Sequence, residues 1–428
     1  MKERIAIIGG LRTPMIRAGG SFKNIQADEL GAKVTQEILI RNNIDPSLID
    51  EVIFGNVAQP GHAANIARVI ALKSSIPNDV PAFTVHRNCA SGMESITNAT
   101  SKILNNEAQI IIAGGVESMS NIPLLFNKKM TNFFEKLFRA RTVAARIKTI
   151  LSFRLSFLKP IIGIQQGLTD PISGMIMGCT AEVLAKEFSI NREEQDKFAL
   201  KSHKKAENAI NKNIFDEEIL PIYDQNQQKM IEKDDGVREG QTIEALAKLK
   251  PYFEKKTGTV TVGNSSQLTD AAAAVILMKE SKAKELGLEV DGYLREFAYA
   301  GLEPERMGLG PVYATSKLFD KANLTMTDID LVEINEAFAA QALACQKAFA
   351  SKDFAKKYLN KSEKIGIIKD SILNVNGGAI ALGHPVGMTG TRLVIHMLKE
   401  LKRRKKNRGL ATLCIGGGQG AALVLETS

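Results

Sequence analysis

The chain has 428 residues, 44% of them apolar, with 34 glycines and a net charge of +9. That length exceeds what one hydrophobic core serves, so two or three domains are expected, and the composition excludes a largely disordered chain. The charge does not imply nucleic acid: between 122 and 165, nine basic residues (Lys128, Lys129, Lys136, Arg139, Arg141, Arg146, Lys148, Arg154 and Lys159) face the single acid Glu135, a net of +8. The remainder is close to neutral, has no Trp and shows no basic–aromatic interleaving of the kind that stacks bases.

In chain order, an apolar strand, Ile5 to Ile8, runs to Gly9-Gly10 with no cleavable leader before it. No apolar run of about 18 residues follows, so the sequence reads as that of a soluble protein with no export signal. Cys89, Cys179, Cys345 and Cys414 are widely spaced and match no metal-ligand or CxxC pattern, which points to free thiols in a reducing compartment.

The chain also repeats itself. Asn43 to Asn56 resembles Asn323 to Asn335, each a helix end, a polar turn, a strand and a terminal Asn. Cys89-Ala-Ser-Gly leads into a predicted helix from Met93 to Leu104 and a strand from Gln109 to Gly115. Gly377 to His384 leads likewise into Thr391 to Leu401 and then Ala411 to Gly417. Two copies of one strand–helix–strand half imply a duplicated α/β fold with right-handed crossovers, whose loops of small residues meet at the interface. The halves are placed at 1–121, completed by 257–280, and at 281–428. An inserted loop domain at 122–256 carries predicted helices from Thr180 to Phe188 and Arg192 to Ala209. A strand over Thr259 to Val262 and a small-residue helix over Asp270 to Ala274 are expected to return the chain to the core.

Within the basic segment, Phe134, Leu137 and Phe138, then Ile147, Ile150, Leu151, Leu155 and Leu158, fall at helical spacings with Lys and Arg between them. This resembles an interfacial helix pair, although Arg154 falls on the apolar side and Phe153 off it. The density of basic residues favours docking on an anionic membrane over binding a partner subunit or ordinary packing. The run Lys402 to Arg408 reads as a solvated helix end.

Four short segments carry chemistry: Asn88-Cys89-Ala90-Ser91-Gly92, Asn335-Glu336-Ala337-Phe338, Gly383-His384-Pro385 and Cys414-Ile415-Gly416-Gly417-Gly418. Cys89 stands just before a predicted helix, where a thiol tends toward the thiolate. His384, in a turn between glycines, offers a neutral imidazole that can take the Cys89 proton. Cys414 adds a second thiol able to shuttle a proton, and the glycines after it allow close backbone approach. Their spacing matches neither a P-loop nor a dinucleotide fingerprint. Together these groups point to Claisen chemistry on thioesters.

With all four segments in family order, the chain resembles the thiolases over essentially its whole length. Gly114-Gly-Val-Glu-Ser-Met119, Phe198 to His203, Gly263-Asn-Ser-Ser266 and Met307-Gly-Leu-Gly-Pro311 extend the likeness. The resemblance implies a five-layered αβαβα core and a homodimer or tetramer. It also implies an acyl-Cys89 intermediate, with the Cys89 and Gly416 amides around the acyl oxygen and a water held by Asn335 and His384 at the enolate oxygen. Glu336 is expected to serve structure. Ser266 and Met177 fall where the family contacts CoA or substrate.

The same resemblance implies coenzyme A as co-substrate, with no permanently bound cofactor and no metal. It leans toward degradative thiolases that cleave 3-ketoacyl-CoA in fatty acid β-oxidation, of the kind that partners a hydratase/dehydrogenase α-subunit, in the cytoplasm or peripherally on the inner membrane. A biosynthetic acetoacetyl-CoA synthase uses the same residues, and a non-catalytic scaffold is the reading from another class. Ala271, Tyr313 and Ile176 depart from the family pattern without removing a catalytic group, and Ile176 is compatible with a tunnel for longer acyl chains.

Overall fold

The computed structural model describes residues 3–225 and 227–428. Nine strands build its central sheet: β1 (Ile5–Arg12), β2 (Glu51–Gly55), β3 (Ala82–Val85), β4 (Ile110–Ser118), β5 (Thr269–Lys279), β6 (Gly292–Gly301), β7 (Leu331–Ile334), β8 (Arg408–Ile415) and β9 (Gln419–Glu426). The two-residue strand Ile16–Arg17 adds to β5. Their order is β7-β8-β9-β6-β1-β5-β4-β2-β3.

The duplication expected from sequence is visible in this order. In the first half β1, β5 and β4 are antiparallel neighbours and β4 is parallel to β2; in the second, β6, β9 and β8 are antiparallel and β8 is parallel to β7. Only Ile5–Ile7 of β1 against Gly292–Leu294 of β6 joins the two sheets.

Helices complete the five layers. α1 (Ala27–Arg41) covers the outer face of the first sheet, burying Leu30, Val34 and Ile38 against Ile8, Ile112 and Ile276. α2 (Ser91–Leu104) and α5 (Thr389–Arg404), one from each half, fill the middle layer and share a core with the inner faces of both sheets. The outer face of the second sheet is covered by α3 (Gly310–Ala322) and α4 (Ala339–Ala350). Within the insertion, helices at Met177–Glu187 and Arg192–Asn211 confirm the two predicted from sequence, each slightly longer.

Two local expectations fail. Asp270–Ala274 is the start of strand β5, not a helix. Ala271 and Ala273 face the middle-layer core, Ala272 and Ala274 the outer one, and all four are fully buried. Alanine's helix propensity is overridden where a strand must pass between two packed layers with little room for side chains. Thr259–Val262 is irregular chain, held instead by Glu182, whose carboxylate accepts from the amides of Thr259 and Val260.

The middle-layer helices approach with almost no side chain between them. A Cβ on Gly92 would stand 2.6 Å from Thr391 Oγ1, and one on Gly390 would stand 2.5 Å from the Met93 amide nitrogen. Thr391 Oγ1 donates to the Gly92 carbonyl at 3.1 Å. Gly390→Ala is therefore expected to destabilise the protein by about 1–3 kcal/mol through overpacking, against alanine's better helix propensity of about 1 kcal/mol. Urea unfolding checks this, and a midpoint equal to or above wild type contradicts the close crossing.

Candidate active site

Cys89 lies at the entry to α2, in a turn that forces Asn88 to a positive φ of 44°. The turn is pinned locally: the Arg87 amide donates to Ser91 Oγ at 2.9 Å, and that hydroxyl donates to the Asn88 carbonyl at 2.7 Å. The Asn88 side-chain amide reaches across to the other half and donates to the Gly416 carbonyl at 2.7 Å. The turn after β8 is thereby tied to the nucleophile loop.

Cys89, His384 and Cys414 line one cavity of about 900 Å³, together with Met177 and Ser266. Three of the four signature segments thus contribute reactive groups to a single chamber between the halves. Gly416 is not on the cavity wall, but its backbone amide, like that of Cys89, favours negative charge on the Cys89 sulfur. A Cβ on Gly416 would lie 3.4 Å from Met177 Sδ, so Met177 packs directly over this turn. The two amides that converge on sulfur are placed to receive an oxyanion formed on a carbon bonded to it.

Burial pushes the Cys89 thiol up to about 11; the two amides oppose the shift and the Glu117 carboxylate adds to it. This corrects the expectation of a thiolate drawn out by the helix N-terminus. The loss of water outweighs the helix dipole, whose effect is typically below about 1 kcal/mol. Cys414 is raised well above the ordinary thiol value by burial and by Cys89. Both thiols rest protonated.

The base is set by its neighbours. His384 Nδ1 lies 2.6 Å from Thr389 Oγ1, and that hydroxyl donates to the Pro385 carbonyl at 3.0 Å. A hydroxyl has one proton, so with it directed at Pro385 the imidazole carries its own proton on Nδ1 and presents a lone pair on Nε2. Burial, reinforced by Arg392, lowers His384 to about 4, which keeps the ring neutral near pH 7. Because the folded value lies below the ordinary one, this group's contribution to stability is present above about pH 6.5 and is lost as pH falls from there toward 4.

Asn335 follows β7 and is fully buried, its amide nitrogen donating to the Thr412 carbonyl two residues before Cys414. Neither side-chain atom of Asn335 has a hydrogen-bond partner in the protein. Leaving such a group unpaired costs about 1–3 kcal/mol. Glu336 differs: its carboxylate accepts from Ser202 Oγ, Asn374 Nδ2 and the Ile380 amide, tying the insertion to the second half. Its expected structural role fits this geometry.

Several cavity residues escaped the sequence reading. Ile162, Ile164 and Leu168, at the root of the basic segment, form an apolar wall with Ile176 and Phe253, while Arg238 and Lys255 supply positive charge. Their chemistry is ordinary for surface and core positions, and only the fold brings them to the site. Thr389 and Glu117 were missed for the same reason, although Glu117 stands inside the Gly114–Met119 stretch.

The chain matches the model of the thiolase N-terminal domain over residues 5–281 and that of the thiolase C-terminal domain over 288–427. It is 42% identical over 427 residues to a 3-ketoacyl-CoA thiolase of Pseudoalteromonas translucida, covering 100% of this chain and 97% of the relative. A Vibrio cholerae 3-ketoacyl-CoA thiolase is 40% identical over 99% of this chain and 97% of its own length. Among solved structures, an acetyl-CoA acetyltransferase of Bacillus anthracis superposes with a TM-score of 0.87 at 37% identity, covering 100% and 99% of the two chains. Human mitochondrial 3-ketoacyl-CoA thiolase in complex with CoA superposes with a TM-score of 0.85 at 34% identity, covering 100% and 98%. With both domain models matched in order and full-length relatives of this similarity, the chain belongs to the thiolase family.

Proposed function

We propose that the protein cleaves 3-ketoacyl-CoA with coenzyme A, releasing acetyl-CoA and an acyl-CoA two carbons shorter, as a step of fatty acid β-oxidation. The observation that carries this reading is one chamber lined by two thiols and an imidazole, walled on one side by apolar residues. His384 Nε2 takes the Cys89 proton as Sγ bonds to the 3-keto carbon, and the amides of Cys89 and Gly416 receive the oxyanion. The C2–C3 bond breaks, its electron pair leaves as the acetyl-CoA enolate, and the Cys414 thiol protonates that carbon. Asn335, with both amide atoms unpaired, is assigned the polar contact, through a water, to the enolate oxygen.

Incoming CoA gives its thiol proton to the Cys414 thiolate and attacks the acyl–Cys89 carbonyl. Cys89 departs as thiolate and recovers its proton from His384. Ser266 and Met177 are assigned to CoA and substrate contact from their place on the wall, and Arg238 and Lys255 suit a phosphate-bearing ligand at its mouth. The biosynthetic direction uses the same groups on C4 substrates; the apolar wall of Ile162, Ile164, Leu168 and Ile176 favours longer chains. A scaffold role is disfavoured by the intact Cys89, His384 and Cys414. Homodimer or tetramer formation and pairing with a hydratase/dehydrogenase α-subunit complete the proposal, with the half-buried edge strand β3 as a place for a second copy to add.

CoA-dependent cleavage of 3-ketoacyl-CoAs from C4 to C16 tests it. Activity on chains beyond C4 is expected, with Cys89→Ala reducing kcat by roughly a thousandfold or more. Activity confined to C4 favours the biosynthetic reading, and none at any length refutes an enzymatic role.

We further propose that the basic arm docks on an anionic membrane. The arm is a helix at Lys128–Arg139, a second at Val143–Leu151 and a turn at Leu155–Leu158, closed at its base by Leu124–Leu125 paired with Ile161–Ile162. Phe133 is buried against Phe153 and Phe157, with ring centroids 5.4 and 6.1 Å apart, so Phe153 packs inward and gives the arm its own small core. Outside that core Phe138 is 92% exposed, Leu155 80% and Leu151 74%. No helix among the described residues is long and apolar enough to cross a membrane.

A lone surface apolar residue needs no explanation, but this many together among basic residues mark a contact surface. Each basic residue near an anionic surface adds about 1 kcal/mol, and each buried Phe or Leu about 1.5–3 kcal/mol, so both terms are needed for stable docking. Co-sedimentation with vesicles containing phosphatidylglycerol is expected, weak with pure phosphatidylcholine, and reduced at least about tenfold by Phe138→Glu with Leu151→Glu. Equal binding to both vesicle types, or by the double variant, contradicts membrane docking.

A further inference from the structure

Glu117, at the top of β4, is 1% exposed yet its carboxylate is fully used. Oε1 accepts from Asn56 Nδ2 at 3.1 Å and the Ala58 amide at 2.9 Å; Oε2 accepts from the Val57 amide at 3.2 Å and the Gly387 amide at 2.8 Å. All four donors are neutral N–H groups with no lone pair to offer. A protonated carboxyl would need an acceptor for its own proton and would lose one of the four, so the cradle is built for the anion. Desolvation opposes this and raises Glu117 to about 7, with Asp270 of β5 adding to the shift.

The cradle joins the two halves of the fold through the loop that carries His384. Gly387 lies three residues beyond His384, so its bond to Glu117 fastens the base-bearing loop of the second half to the central strand of the first. The fit is tight: a Cβ on Gly115 would lie 2.3 Å from the Gly387 carbonyl oxygen. On the other side the Glu117 charge acts on Cys89 and disfavours its thiolate.

Resting on the reading of Cys89 as nucleophile and His384 as base, we propose that Glu117 is a positioning residue that holds the His384 loop in register with Cys89. A buried anion with no cationic partner is costly to keep. Here it fixes one loop across the interface of the halves.

The test reads Cys89 alkylation by iodoacetamide against pH, without substrate, beside steady-state thiolysis. Glu117→Gln keeps the shape but places an amide N–H against donors and removes the charge. It is expected to lower kcat about tenfold or more with KM for CoA changed less than about twofold, and to slow Cys89 alkylation at neutral pH, because a displaced imidazole no longer takes the thiol proton. Glu117→Asp keeps an anionic acceptor on a shorter stem and is expected to show a smaller loss of both. Unchanged kcat, or a fall in kcat with alkylation at the wild-type rate, overturns the proposal. If the Gln variant does not fold, wild-type kcat and alkylation in the Asp variant overturn it equally. Failure of the thiolase reading is distinguishable, since it shows as absent thiolysis in the wild-type protein.

Discussion

The near-contact of two helices, Ser91–Leu104 from one half and Thr389–Arg404 from the other, is the constraint on which the rest depends. Gly92 and Gly390 let their backbones meet, and Thr391 bonds across to Gly92. Cys89 stands three residues before Gly92 and His384 six before Gly390, so the crossing that forms the middle layer also sets these two side chains on one chamber. A larger side chain at either glycine would push the two apart. Fold and site are the same packing decision, which explains why so much of the buried polar machinery lies at this junction.

Dehydration then sets the chemistry. Burial raises both thiols and lowers His384, so the thiols keep their protons and the imidazole stays neutral, the arrangement of a proton-transfer enzyme at rest with neutral groups. No standing charge separation has to be maintained in the chamber between turnovers. The backbone amides of Cys89 and Gly416 favour negative charge at the Cys89 sulfur, the place where the proposed reaction develops it. The buried carboxylates around the site, Glu117 and Glu336, are satisfied by N–H and O–H donors supplied from both halves and from the insertion.

The site was far more legible in the sequence than the elements that carry it. Four short segments pointed to Cys89, His384, Cys414 and the glycine turn, because those residue types are rare in combination, and the first three line one cavity. The alternation of halves was readable as well, since Asn56 and Asn335 end matching strands. Alanines 271–274 misled because propensity describes an isolated segment, whereas this one threads between two cores. The thiol state misled for a related reason: a helix N-terminus is visible in sequence, but the burial that outweighs it is not. Glu117, Thr389 and the Ile162–Leu168 wall became visible only in three dimensions, since each acts by what lies opposite it.

The most direct measurement is to mix the protein with a 3-ketoacyl-CoA in the absence of free CoA, quench, and locate any added acyl group by peptide mass mapping. One acyl group on the peptide containing Cys89, removed on adding CoA with release of the shortened acyl-CoA, is the result this account requires. An unmodified Cys89 with product nonetheless formed, or acylation of Cys414 or Cys179 in its place, would contradict it.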